Sequence, residues 1–206
     1  MNRLEIIDGA DDAAIADWLH GYLAGALARS IGAVAIAVPG GSTPFPILQR
    51  LAQMPLDWPR VTVWPGDDRI VPEDHAASNI GRIRAVMAPA GAHCVPLAEQ
   101  ARPPHFALVW LGMGGDGHIA SLFPNSDPRA DDPSPVRHVR PDPLPPEAPF
   151  DRLSLTIPAL LASDHVAFVI RGADKRALFT AAAAGQNDLP IARLLREATQ
   201  PVTCFT

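Results

Sequence analysis

Residues Leu111–His118 read LGMGGDGH and follow the apolar run FALVW, so an aspartate and a histidine stand two apart in a glycine-rich turn. An imidazole titrating near neutrality can take a proton from water, and a neighbouring carboxylate can fix its tautomer and support its positive charge. Asp116 and His118 are therefore a candidate general-base pair, provided that the turn brings the carboxylate to the ring. The same letters satisfy G-x-G-x-x-G, and Asp131 and Asp132 lie downstream where a dinucleotide site would want its ribose acid. That second reading fails. Asp116 would oppose a pyrophosphate with like charge, Pro124 interrupts the helix that should follow, and no second strand arrives at βαβ spacing.

Two further turns carry chemistry. In VPGGSTP, Val38–Pro44, Gly40 and Gly41 let backbone N–H groups turn toward a ligand, and Ser42 and Thr43 add hydroxyls at the start of a helix. A phosphate suits that arrangement, although the Lys of a Walker loop is absent; the alternative is a tight turn with an ordinary Ser/Thr cap. In WPGDDRIVPEDHAASN, Arg69 can clamp a phosphate through both arms of its guanidinium. Asp67 or Asp68 can orient a substrate hydroxyl or Arg69 itself, unless this is only a solvated charged loop. His75 is expected to be structural or exposed. The remaining histidines (His20, His93, His105, His138 and His165) are scattered without metal-ligand spacing, so no metal site is expected.

The elements around these turns alternate. LEII reads as a first strand and DDAAIADWLHGYLAGALARS as a helix, apolar at helical spacing from Ile15 to Leu27. AVAIAV is a continuous apolar run, as a parallel strand covered on both faces requires, and PFPILQRLA a helix with Pro in its first turn. RVTVW, HCVPL and FALVWL read as strands, and SNIGRIRAVMA as a helix capped by Ser78 or Asn79. From Pro124 to Pro149 the chain is rich in Pro, Asp and Arg and has no period, which implies an extended connection. RLSLTI and VAFVI resume as strands, ADKRALFTAAAAG is a helix ended by Gly185, PIARLLREA is a last helix and VTCFT a closing strand. Such alternation predicts a parallel sheet with helices on both faces, in one domain over 1–206 with a Pro-rich connection at about 124–150. Sites in such sheets form at the carboxyl ends of strands, where the three polar turns lie.

The bulk numbers agree. A chain of 206 residues with 48% hydrophobic content can build one core, and its net charge of −5 is spread without blocks. No nucleic-acid or membrane partner is expected, and an anionic ligand would need a local positive pocket. The start MNRLEIIDGADDAAIADW resembles no signal peptide, and no window is apolar enough to span a membrane, so a cytoplasmic protein is expected. Cys94 and Cys204 read as buried free thiols, without the surroundings of a nucleophile.

Taken together, VPGGSTP, DDRIVPEDHAASN, LGMGGDGHIASLFPNS and RLSLTIPALLASDHVAFVIRGADKRAL resemble the 6-phosphogluconolactonases of the glucosamine-6-phosphate isomerase/6-phosphogluconolactonase superfamily, in order and over most of the chain. The resemblance implies a modified doubly wound, Rossmann-like α/β fold and a carboxylic ester hydrolase with no metal or organic cofactor. Its substrate would be a small phosphosugar lactone of the oxidative pentose phosphate pathway. His118 would activate water with Asp116 as partner, and Gly41, Ser42, Thr43, Arg69 and Lys175 would surround the phosphate, with Arg171 a further candidate. Amides of the Gly112–Gly117 turn would face the developing oxyanion. Asp68 stands where the family most often has Glu, and Ala77 where an acid often precedes Ser-Asn. An amino-sugar isomerase/deaminase would want a Glu shortly after the DGH turn, but Ile119–Pro124 holds no carboxylate. A sugar-phosphate sensor would be expected beside a DNA-binding helix-turn-helix, for which the chain leaves no room before its first strand. The oligomeric state is left open, a monomer included.

Overall fold

The computed structural model describes residues 4–143 and 149–206. Seven parallel strands form the central sheet in the order β1 (Leu4–Ile7), β10 (Val202–Phe205), β9 (Val166–Val169), β6 (Leu108–Leu111), β2 (Val34–Val38), β3 (Val61–Pro65) and β5 (His93–Cys94). The expected α/β class holds, and alternation along each strand builds the two covered faces. Val34, Ile36 and Val38 point to one side, where α1 (Asp12–Arg29), α2 (Pro44–Ala52) and α3 (Asn79–Met87) deliver Leu19, Leu48 and Ile83. Ala35 and Ala37 point to the other, under α4 (Ile157–Leu161), α5 (Ala173–Ala183) and α6 (Pro190–Glu197), which supply Leu160, Phe179 and Ile191.

Local chemistry sets the helix starts. Asp11 caps α1 by accepting from Ala14 N at 2.8 Å, and Ser78 caps α3 by accepting from Gly81 N at 3.1 Å. Pro44 occupies the first turn of α2. Strand order reverses between β2 and β6: the chain leaves β2 for β3 on one side and returns to β6 on the other. The turns after β2 and β6 therefore diverge and leave a crevice at the carboxyl edge, where ligands of such sheets bind.

The segment 124–150 departs from its reading as a structureless connection. Val136–Val139 forms β7, pairing antiparallel with β8 (Arg152–Leu155), which pairs in turn with β4 (Asp67–Arg69). RLSLTI is thus a strand as expected, but of this small second sheet. DDR, read as loop, is a strand as well, and IPALL after β8 adds the unpredicted α4. β4 and β7 pair with β8 over three and four residues, and their polar letters hide the period; only the neighbours make them strands. Residues 144–148 of the Pro-rich connection lie outside the described residues.

Both thiols are buried in the sheet, Cys204 fully and Cys94 nearly so. Burial pushes the Cys94 thiol up and the Cys204 thiol up to about 12, so neither forms a thiolate readily. Native protein should resist iodoacetamide at mildly alkaline pH and take up two labels once unfolded. Rapid labelling of the native chain would contradict this packing.

Candidate active site

Glycine clearance builds the catalytic turn. A Cβ on Gly114 would lie 2.1 Å from His118 Nδ1 and 2.6 Å from Asp116 Oδ1. The pair therefore folds down over the backbone of Gly114. Asp116 Oδ1 accepts from the His118 amide at 3.1 Å and lies 2.6 Å from His118 Nδ1. Gly114 N donates to His118 O at 2.9 Å and closes the turn. Asp116 is thus the carboxylate that reaches the ring. Burial alone would raise its carboxyl, but hydrogen bonds from the His118 amide and ring, with the ring's charge, hold it below the usual carboxylate range. With Nδ1 committed to Asp116, Nε2 is the ring nitrogen left for chemistry. Phe123 packs on the imidazole with centroids 4.8 Å apart. Gly117, at φ +81°, has no room for a Cβ against Leu189, and its carbonyl accepts from Ile191 N at the start of α6 at 3.2 Å. Gly114 and Gly117 thus clear space for the protein's own side chains, whereas Gly112 and Gly115 face open space.

The turn after β2 behaves differently. Gly41 has φ +87°, and a Cβ on Gly40 would lie 2.2 Å from the Asn79 side chain. Thr43 occupies the N-cap of α2 in helical conformation and makes no side-chain cap bond, and no acid stands in the first turn. Neither hydroxyl of Ser42 and Thr43 is used for capping, so the ordinary-cap alternative fails. Pro44 and Pro46 carry no N–H, so the helix start offers the amides of Gly41–Thr43 and Phe45, two hydroxyls and the positive end of its dipole.

β4 sends its two acids to opposite sides, as successive residues of a strand must go. Asp67 faces the crevice, where its Oδ2 accepts a short hydrogen bond from Ser121 Oγ. Asp68 caps α3 instead, accepting from Asn79 N at 2.6 Å, Ile80 N at 3.0 Å and Arg69 N at 2.8 Å. Burial raises the Asp68 carboxyl, and those three amides oppose the rise. Asp68 does not line the cavity and has no hydrogen bond to the Arg69 guanidinium among the described residues; its shorter side chain suits a cap. Arg69 donates to Ala77 O at 2.8 Å and Asn79 Oδ1 at 3.4 Å, while its buried Nε has no partner among the described residues. His75 accepts from Ala77 N at 3.0 Å in the loop, a structural role as expected.

One cavity of about 420 Å³ joins these pieces, a size that holds a small metabolite. Gly40, Gly41, Ser42, Thr43, Asp67, Arg69, His118 and Lys175 all line it, and Asp116 stands behind His118. Arg171 lines it too, although it is tied to Ala10 O at 3.0 Å and Asp12 at 3.1 Å. Sequence reasoning missed Asn79, read only as an alternative helix cap, and Arg152. Arg152 lies opposite Arg69 in the β4–β8 register and is 5% exposed. Burial, then the neighbouring Arg69, lowers its guanidinium pKa, and Asp67 opposes this. In the sequence Arg152 merely continues the polar positions Ser154 and Thr156 of RLSLTI, so nothing local singled it out. Among the described residues the lining holds four basic side chains (Arg69, Arg152, Arg171 and Lys175) against the carboxylate of Asp67. The local positive pocket demanded by a chain of net charge −5 is present. Two expected oxyanion donors drop out, because Gly114 N and Gly117 N bond within the turn, at 2.9 Å to His118 O and 3.1 Å to Gly114 O. Among the described residues no group of three His, Cys, Asp or Glu could hold a metal.

Fold and site together define a Rossmann-like α/β protein with a cation-rimmed cavity and a carboxylate-backed histidine at the sheet's switch point. Comparison with known proteins narrows the class. The chain belongs to the family described as glucosamine-6-phosphate isomerases/6-phosphogluconolactonase, whose sequence profile matches residues 10–102 and 90–203. It is 35% identical to a 6-phosphogluconolactonase of Neisseria meningitidis over 92% of this chain and 90% of that one. A 6-phosphogluconolactonase of Caulobacter vibrioides is 37% identical over 95% and 93% of the two chains. The crystal structure of a putative 6-phosphogluconolactonase from Neisseria gonorrhoeae superposes with TM-score 0.82 at 30% identity, covering 98% and 97%.

The geometry of the turn is directly testable. Gly114→Ala should displace the His118–Asp116 pair at a cost of about 1–3 kcal/mol in denaturant unfolding, as overpacking does. The low-field imidazole N–H resonance should be lost from the proton NMR spectrum. An unchanged resonance and midpoint would show that the pair does not rest on Gly114.

Proposed function

We propose that the chain hydrolyses 6-phospho-D-glucono-1,5-lactone to 6-phospho-D-gluconate with His118 as general base. The observation that carries this reading is one cavity holding both an imidazole with a committed Nδ1 and a cationic rim beside an open helix start. The phosphate sits at Gly41–Thr43, Arg69 and Lys175, with Arg152 adding charge from beneath Arg69's strand pair. The buried Nε of Arg69 supports this placement, since an unpaired buried donor costs about 1–3 kcal/mol until an acceptor meets it.

His118 Nε2 takes a proton from water as the water oxygen attacks the lactone carbonyl. Asp116 stays ionised and supports the imidazolium. The ring C–O bond then breaks, and the imidazolium returns its proton to the departing ring oxygen. Gly112 and Met113 line the cavity, and their amides make no hydrogen bond to the described residues, so they are the turn's remaining donors for the oxyanion. A general base contributes about 10²–10⁴-fold. That is a suitable scale for a lactone, which already hydrolyses unaided.

A coupled assay with fresh lactone, corrected for spontaneous decay, tests the proposal. Wild type should exceed background, and His118→Ala should lose about 10²–10⁴-fold in kcat. Arg69→Ala should chiefly raise KM, as loss of a charge-assisted phosphate contact does. Background rates from wild type would refute the lactonase reading, and an unchanged KM in Arg69→Ala would refute the phosphate placement.

A further inference from the structure

Of the 17 basic residues in the chain, 16 are arginines; Lys175 is the lone lysine. It stands in the first turn of α5, half-buried, and lines the cavity. Its neighbours are engaged. Arg171 is held by Ala10 O and Asp12, and Arg176 by Asp8 at 2.7 Å. Lys175 forms no ion pair or hydrogen bond with the described residues. Guanidinium groups resist acylation, whereas an amine is a nucleophile whenever it sheds its proton. The one side-chain amine of the molecule therefore stands, unpaired among the described residues, in a cavity rimmed by cations.

We propose that Lys175 is a covalent modification site for acyl phosphates, which bind by their phosphate group and acylate Nζ, switching the site off. This rests on the phosphate subsite of the preceding section. In an acyl phosphate the reactive carbonyl carbon is bonded to a phosphate oxygen. Lys175 lines the same cavity as Arg69 and the start of α2, so a phosphate held there brings that carbon into the cavity that holds Nζ. In the lactone substrate the carbonyl lies at the opposite end of the sugar from the phosphate, so Lys175 spares it. The Nζ lone pair attacks the carbonyl carbon and the N–C bond forms. The C–O bond to phosphate then breaks, inorganic phosphate leaves with the electron pair, and the nitrogen's proton passes to solvent. The product amide has lost the positive charge of Lys175, so the acylated site binds phosphate less well.

The test incubates the whole chain with acetyl phosphate and follows acetylation by intact mass and peptide mapping. Acetylation should occur at Lys175 at least about tenfold faster than at the chain's α-amino group, the sign of a positioned reaction. Inorganic phosphate should slow it, and lactone hydrolysis should decline in step. The phosphate-free acetyl succinimidyl ester should show no such preference. Lys175→Arg keeps the charge and lacks the amine, so its own activity should not decline further under acetyl phosphate. Equal rates at the two amines, or a decline of Lys175→Arg matching wild type, would overturn the proposal. If inorganic phosphate competes with the lactone yet Lys175 is not preferred, acylation alone fails. If phosphate does not compete, the subsite and the acylation fall together.

Discussion

The contact on which the site depends is the 2.6 Å approach of Asp116 Oδ1 to His118 Nδ1. Two residues so close in sequence meet only if the backbone between them turns tightly, and the surrounding glycines are distributed to let it. Gly114 gives up its Cβ volume to the pair, while Gly117 takes the left-handed conformation that sends the ring back over the turn. α6 then pins the turn from outside, with Ile191 N on the Gly117 carbonyl and Leu189 against its Cα. A carboxylate so held fixes which imidazole nitrogen remains for a ligand. Tautomer choice, often left to solvent, is set here by covalent proximity and one helix start.

The second constraint is charge. Arg69 and Arg152 lie opposite one another on β4 and β8, and burial together with Arg69 disfavours the charge of Arg152. Asp67 lies between the demands of both sides: it supports Arg152 electrostatically and accepts the short bond from Ser121. Ser121 in turn belongs to the turn begun by His118, where Ala120 takes φ +49°, an uncommon choice for a residue with a Cβ. The histidine turn and the arginine strand are therefore coupled through one buried carboxylate. The Ser121 amide extends the link by donating to Ser154 on β8 at 3.1 Å. Small sheet, histidine turn and Arg69 are joined by hydrogen bonds through Asn79, Asp67 and Ser121.

How much of this the sequence could reveal follows from range. β2, β6 and β9 were legible because five- and four-residue apolar runs buried on both faces need no partner to be recognised. Turn chemistry was legible because glycine, serine and an adjacent base have local consequences. Arg69 and Lys175 came with the family resemblance and a strand end. Arg152, β4 and β7 were not legible, because their environment is made by residues tens of positions away: Arg152 means something only when Asp67–Arg69 pairs beside it. The choice between Asp67 and Asp68 was open for the same reason, since the amides that Asp68 caps belong to α3, eleven and twelve residues on.

The same geometry bears on the amino-sugar alternative within the family. Opening a sugar ring and moving a proton between carbons needs an acid besides the imidazole and its buttress. The residues after His118 are all committed to other work. Ile119 and Leu122 are buried, Ser121 is turned to Asp67, and Phe123 covers the imidazole face. The nearest acid onward, Asp127, is drawn off by Arg193 at 2.6 Å. Asp67, the one carboxylate lining the described cavity, is buried and already accepts from Ser121. A single histidine with a fixed tautomer suffices for a water attack on an activated carbonyl, whereas among the described residues the cavity holds no second acid free for isomerisation.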